Sequence, residues 1–562
     1  MAAPPPALLH ALGQAQRTPT ALAFAAAALR PAAAQRRRLE AAVALGRDSA
    51  YGRAHGLRGA TDPKSYARNV PVLTPEALKP WVARQMRGEA AVLTTERPVY
   101  YVRTTGSTGT PKHIPITPAY QAEFQKTVHV ALWHLYRRFP AAFIGRALYF
   151  VGSSQVDVAP DGAPIGTMSG YNFAALSPLV RAIYAWPQAL FEVEDLATRS
   201  YLALHLACLG EVSLVAGIFP APIVYLLRDL EARAGELARH LGLGELPAWL
   251  RLTSAERATF EHGLVPRPDL AERLREAERA PVEEKVGWAL PQLRLVYCWT
   301  NATAGAYLPE LQRRLGPAVA IRDAIYSACE AWCSIPVGDE APGGPFAITS
   351  HYFELVEEAR AEAVGDPSAL VADDFRTVDE VEDGRRYYIV PTTSGGLYRY
   401  WLGDVVEIVG RHARTPRLRF VRKGGAATNL VGEKLDEAHV NAAVAAGLEA
   451  LGLEATFFMV TPRPEPGERP AYVLWIELPP DAPDAVLGPL AERVDVALQE
   501  GSFDLGRVRR AAQLGPLEAR RLPPGSYAAH RQAKVAAGSA ESQLKVAHLG
   551  DALPPDLAAR AR

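Results

Sequence analysis

Thr104, Thr105, Ser107 and Thr108 place four hydroxyl side chains within five positions. Gly106 and Gly109 lie among and beside them, and Lys112 follows. Glycines let the backbone bend so that its N–H groups converge on phosphate oxygens, the hydroxyls add donors and the lysine adds a cation, so the segment has the chemistry of a phosphate cradle. Its spacing is neither GxxxxGK[ST] nor GxGxxG, and it lies between two strand-like segments, so it is neither a P-loop nor a Rossmann turn. A second segment, Tyr326-Ser327-Ala328-Cys329-Glu330, sets an aromatic ring four residues before an acid. In a nucleotide site that ring can stack on a base while the carboxylate helps hold Mg²⁺ beside the phosphates. In a third, Ser394 to Val406, Asp404 stands between Gly403 and an apolar run, where a carboxylate can accept two hydrogen bonds from a ribose diol. A surface turn, a strand-end Glu and a hairpin-turn Asp are the plain structural alternatives.

The elements that must carry these segments are legible from periodicity. Residues 35 to 56 read as a helix, with Leu39, Val43 and Leu45 on one face and Gly56 as its stop. Val99–Val102 and His113–Ile116 read as strands on either side of the Gly/Thr/Ser loop. From about 120 to 290 helical stretches alternate with apolar runs at 147–151 and 212–218, which predicts β and α units around a sheet. Strand signals then crowd together at 293–299, 319–324, 347–355, 386–390, 404–409 and 418–421, which predicts a second large sheet region. A Gly/Ala/Thr stretch at 424–428 breaks the pattern. Helix 437–451, strands 456–460 and 471–478 and a helix near 487–499 then predict a separate small α+β domain. The Pro/Ala-rich ends, 2–6 and 553–562, predict fraying.

Composition narrows the classes. The 562 residues carry 61 basic and 61 acidic side chains, and zero net charge argues against a polyanion-binding protein. Four cysteines (208, 298, 329 and 333) show no CxxC pair, and the 13 histidines show no ligand spacing, so neither a disulfide scaffold nor a metal site is expected. The longest apolar run, Ala21 to Leu29, is too short to cross a bilayer, and a basic run follows it where a leader would have one in front. A soluble protein of the reducing cytoplasm, away from membranes, is expected.

Taken together the three segments resemble the motifs of the adenylate-forming superfamily, in the same order and spacing. Thr104–Lys112 is similar to its phosphate loop, Tyr326–Glu330 to its Tyr-x-x-x-Glu motif and Tyr398–Asp404 to its Tyr-Arg-x-x-x-Gly-Asp signature. The chain further resembles the Gretchen Hagen 3 family of auxin-responsive acyl-acid amido synthetases, its bacterial members especially. Gly396–Tyr400, Gly432–Glu437, Tyr472–Glu477 and Gln543-Leu544-Lys545-Val546 carry that likeness, which runs from about Leu39 to Val546. The resemblance implies an α/β, firefly luciferase-like fold: a large N-terminal domain of β-sheets flanked by helices (1–425) and a small mobile C-terminal α+β domain (430–562).

It also implies a two-step reaction. A carboxylate attacks the α-phosphate of ATP to give acyl-AMP and pyrophosphate, and an amine, usually of an amino acid, then displaces AMP. By the same resemblance the donors of Thr104, Thr105, Gly106, Ser107 and Thr108, the cation Lys112, and Mg²⁺ held with Glu330 answer the charge of the transition state. Tyr326 packs on adenine, Asp404 anchors the ribose, and either Arg422 or Lys423 contacts it. Lys545 approaches the carboxylate and α-phosphate on closure of the small domain, and Lys434 sits near the hinge. Residues 162–170, with Met168 and Ser169, and the strand end Trp299-Thr300-Asn301 line the substrate cleft. The expected partners are a small carboxylic acid and an amine, acting on a monomer. An acyl-CoA or other thioester ligase shares the first half-reaction and stays open, as does a nucleotide-binding scaffold without turnover.

Overall fold

A computed structural model describes residues 5–104, 112–338, 343–424, 427–428, 435–463, 470–502, 505–506, 509, 514–536, 546–550 and 552–561. The chain packs as two compact units. The larger comprises residues 1–301, 307–402 and 406–420, and the smaller 302–306, 403–405 and 421–562.

In the larger unit the strand Tyr100–Thr104 pairs antiparallel with Lys112–Ile116, Tyr100 facing Ile116 and Thr104 facing Lys112. Its other edge pairs parallel with Pro164–Gly166. The helix Pro118–Arg138 follows at once. Thr117 Oγ1 accepts the Tyr120 N–H at 3.2 Å, proline fills the first helical position, and Arg137 and Arg138 close the last turn, so both ends have the residues helix termini favour. A second, wholly parallel sheet joins Arg146–Tyr149, Val212–Ala216, Leu295–Cys298 and Ala320–Asp323 in that order. Its central strands are continuous apolar runs because helices cover both faces. A six-stranded sheet runs Gly344–Pro345, Thr415–Lys423, Asp404–His412, Arg386–Thr392, Tyr352–Glu357, Phe375–Thr377.

The smaller unit has its own core. Phe457–Arg463 pairs antiparallel with Ala471–Glu477, which pairs parallel with Glu518–Arg521. The helices Glu437–Leu451 and Leu487–Gly501 bury Val440, Val444, Leu490 and Val494 in the same cluster.

Three expectations need correction. The helix read over 35–56 is two helices, Pro31–Gly46 and Ala50–Ala54, because the Ser49 hydroxyl accepts the Gly52 N–H at 2.9 Å and caps a new start. Gly46 ends the first against the Tyr398 hydroxyl, where a Cβ would lie 2.0 Å from the oxygen. The strand read over 347–355 begins only at Tyr352, since Ser350 N–H bonds Ala347 O in a turn whose Ile348 carbonyl is taken by Gln35. The C-terminal end does not fray throughout: Pro555–Arg560 is helical, Leu557 is buried, and His530 Nδ1 lies 2.8 Å from Asp556.

Candidate functional site

Thr105, Gly106, Ser107, Thr108, Lys434 and Lys545 lie outside the described residues. What flanks them is described. Thr104 and Lys112 are cross-strand partners, so the segment between them joins the two strands of a hairpin. Lys112 is half-buried and opens the strand that leads to the Pro118 helix.

That helix reaches the second motif. Tyr120 is buried, and its hydroxyl donates to the carbonyl of Cys329 at 3.1 Å. Tyr326–Ser327 pairs antiparallel with Trp332–Ser334, and Ala328 N–H bonds Ala331 O at 2.8 Å, so Cys329 and Glu330 form the tip of a tight hairpin. The half-buried Glu330 carboxylate accepts the Tyr400 hydroxyl at 3.3 Å. The Tyr326 ring packs tilted against Phe420 at 5.3 Å between centroids. Within the larger unit the three motifs are therefore linked: hairpin to helix, helix to Glu330, Glu330 to the Tyr398–Leu402 segment.

The strand end at Trp299 is fixed to the approach of the same hairpin. Trp299 Nε1–H donates to Ile325 O at 2.7 Å, Thr300 N–H to Asp323 Oδ1 at 3.0 Å, and Asn301 Nδ2–H to Asp323 Oδ2 at 2.8 Å. Gly343 N–H adds a third donor to Asp323 at 3.1 Å. Burial raises the Asp323 carboxyl above its ordinary range, and these donors oppose the rise. Met168 and Ser169 open a short helix capped by Thr167, whose hydroxyl accepts the Gly170 N–H at 3.0 Å. Both are buried: Met168 packs in the large core, and the Ser169 hydroxyl accepts the Gly152 N–H at 3.1 Å.

A cavity of about 510 Å³ is lined by Tyr297, Thr300, Asn301, Ile321, Asp323 and Val337, with His134 to Phe139 as one wall. Of the pocket residues the sequence names, Thr300 and Asn301 line it, and Met168, Ser169 and Trp299 do not. Its helical wall begins about 20 Å along the helix from Tyr120 at 1.5 Å per residue.

In the smaller unit Asp404 is buried and accepts Lys423 Nζ at 2.6 Å. Gly424 N–H bonds Gly403 O at 2.6 Å, which fixes the backbone beside that pair. Arg422, one residue earlier in the same strand, is half-buried.

Sequence reading missed Tyr120, Asp323 and Tyr400. Tyr400 lies inside a motif the sequence exposed; for Tyr120 and Asp323, in unremarkable helix and strand contexts, no local signal exists. Among the described residues no three His, Cys, Asp or Glu side chains gather as a metal cluster. A single half-exposed carboxylate suits Mg²⁺, which takes one or two protein carboxylates and fills its remaining positions with phosphate oxygens and water. The four cysteines are free thiols, and burial pushes Cys208 up to about 12, so it is not a nucleophile. No helix among the described residues is long and apolar enough to cross a membrane.

Comparison with known proteins covers nearly the whole chain. The family models described as GH3 family N-terminal, central and C-terminal domain match residues 22–320, 344–423 and 438–552. The jasmonoyl–L-amino acid synthetase JAR4 of Nicotiana attenuata is 26% identical over 512 residues, 87% of this chain and 86% of that protein. The solved GH3.15 acyl acid amido synthetase superimposes with a TM-score of 0.82 at 20% identity, covering 96% of this chain and 95% of that one. A 2-hydroxyisobutyryl-CoA ligase in its postadenylation state superimposes at 0.51 and 14% identity, over 95% and 89%. The architecture is that of the adenylate-forming ligases.

Proposed function

The chain belongs to the GH3 family, whose N-terminal model alone spans residues 22–320 of 562, and from that premise we propose that it is an ATP-dependent acyl-acid amido synthetase. The observation that supports the reading is the chain of contacts from the strands flanking the first motif through Tyr120 to Glu330 and on to Tyr400, which links the second motif to the Tyr398–Leu402 part of the third within the larger unit.

In the first step an oxygen of the acid's carboxylate attacks the α-phosphorus of ATP and pyrophosphate leaves. In the second the nitrogen of an amino acid attacks the acyl carbon, loses its proton, and AMP leaves. Lys112 and the backbone and hydroxyl donors of Thr104 to Thr108 meet the phosphate charge. Tyr326 offers a face to the adenine and Asp404 anchors the ribose diol, with Lys423 holding that carboxylate in place. Glu330 is the carboxylate available to Mg²⁺, which when bound screens the phosphates during displacement. Residues 430–562 form the small domain, and Lys545 completes the site when that domain closes. One chain supplies every group named, so a monomer suffices, and four reduced cysteines suit the cytoplasm.

Neither the acid nor the amine follows from a relative 26% identical. Pyrophosphate exchange into ATP across aromatic, fatty and short-chain acids, followed by mass spectrometry with pooled amino acids and separately with coenzyme A, tests the reading. Exchange with one acid and an amide product is expected. A thioester as the sole product, or no exchange with any acid, overturns it.

A further inference from the structure

Tyr400 is 1% exposed, and its hydroxyl points at one oxygen of the Glu330 carboxylate from 3.3 Å. Its backbone is fixed on both sides. Tyr400 N–H bonds Pro391 O, Leu73 N–H bonds Arg399 O, and Trp401 N–H bonds Leu73 O, each at 2.9 Å. Arg399, the residue before it, sits at φ 49°, a left-handed conformation that an ordinary side chain adopts only under constraint. That constraint is visible: Arg399 N–H bonds Thr392 Oγ1 at 2.9 Å, and its guanidinium is tied to Glu354, Ala67 O and Val70 O. The turn turns the phenol toward the hairpin that Tyr120 holds by its backbone.

We propose that Tyr400 is a positioning residue that aims the Glu330 carboxylate at the nucleotide-bound metal; this rests on the adenylation reading above. The hairpin carrying Glu330 is held at two points, the Cys329 carbonyl by Tyr120 and the carboxylate by Tyr400. A phenol suits the second point. It is neutral, so it fixes one oxygen without cancelling the charge that attracts a cation, and a carboxylate has about four acceptor sites of which it uses one. An oxygen–oxygen separation of 3.3 Å is long for this bond, and such contacts shorten when the site is loaded. Partners of this kind orient metal ligands, and their loss costs roughly 10- to 100-fold in metal affinity or activity.

The test uses the full chain and Mn²⁺ as the probe, titrated by electron paramagnetic resonance with a non-hydrolysable ATP analogue, alongside the Mg²⁺ dependence of pyrophosphate exchange. Tyr400→Phe removes the hydroxyl alone and should weaken Mn²⁺ binding about tenfold. The KM for Mg²⁺ should rise in parallel, and kcat should largely return at saturating metal. Adding Tyr400→Phe to Glu330→Gln should cost nothing further, because the phenol then has no carboxylate to aim. Tyr201→Phe, which removes a buried hydroxyl in the separate core around the parallel sheet, should leave the metal titration unchanged. Wild-type metal binding by Tyr400→Phe, or an additive loss in the double variant, overturns the inference while exchange by the parent chain keeps the adenylation reading. A parent chain that neither exchanges pyrophosphate nor binds Mn²⁺ more tightly with nucleotide overturns both.

Discussion

Arg399 and Tyr400 are neighbours in the chain and serve two carboxylates in opposite ways. Arg399 is 3% exposed and Glu354 2% exposed; Nε–H donates to the carboxylate at 2.9 Å, Nη1 donates to Ala67 O and Val70 O at 2.8 Å each, and the guanidinium lies 4.0 Å from the centroid of Phe375. Glu330 is half-exposed and is met by a neutral phenol at 3.3 Å. The first carboxylate is paired with a fixed, buried cation, and the pair acts as a strut between the six-stranded sheet and the 63–70 segment. The second is met by a neutral donor that leaves its other acceptor sites to a cation. Within one signature segment, what separates a residue that holds the fold from one that serves the site is whether its partner carboxylate has been neutralised.

The largest effect should come from breaking the strut. Arg399→Met leaves Glu354 as a buried, unpaired charge, and removing one member of such a pair costs about 3–5 kcal/mol. Burial already pushes the Glu354 carboxyl upward, and without the guanidinium nothing opposes that. Urea unfolding of the larger unit should show a corresponding fall in midpoint. Arg399→Lys should not restore it, because an ammonium cannot reproduce the fork that reaches Glu354 and two carbonyls at once. A midpoint near that of the parent chain would break the comparison, since Arg399 would then belong to the site.

Glu330→Gln should give the opposite pattern. The rate of adenylation should fall about 10²-fold or more, the scale of several kcal/mol that a metal contributes to a displacement. Stability should stay within about 0.5 kcal/mol, as for a substitution outside the packed core. Paired rate and unfolding measurements on both variants sharpen the contrast. A Glu330→Gln chain that is also badly destabilised would make both carboxylates struts.

The parts that were legible in the sequence share a physical cause. The central parallel strands around 212 and 295 are largely buried and read as mostly apolar runs, so their positions were clear to within a few residues. The motif residues were legible because glycine, hydroxyl and acid side chains at short spacing mark a chemistry directly. Ser49 shows the limit of periodicity: the apolar pattern runs past it, and only its hydroxyl on Gly52 N–H reveals the new helix start. Tyr120 and Asp323 were invisible for another reason. Their roles depend on partners 209 residues away in one case and about 20 in the other. Hydroxyls and carboxylates of ordinary appearance become site residues only when the fold delivers their partners.

The smallest effect concerns a third polar node, built around a buried histidine. His351 is fully buried, its Nδ1 3.1 Å from Glu123 Oε2, and Arg38 and Ser394 bond the same carboxylate while Tyr120 stacks on the ring. Burial first, and the nearby Arg38 charge second, lower its pKa to about 3. An unfolded histidine titrates near 6.5, so between roughly pH 6.5 and 3 the unfolded chain binds a proton that the folded chain refuses. The unfolded state then holds more protons, and unfolding free energy rises with pH. The contribution is complete above about pH 6.5 and drains away as pH falls toward 3. His10, His134 and His205, each lowered to about 4 by burial in the same unit, act in the same direction. Urea midpoints taken from pH 7.5 to 4.5 should therefore decline. His351→Gln should decline less steeply over that window while starting from a lower midpoint at pH 7.5, because the amide keeps a donor for Glu123 but carries no titrating group. An unchanged slope would mean that Glu123 shares the proton with His351 in the folded chain, and the node would then behave as a neutralised strut like Arg399 and Glu354.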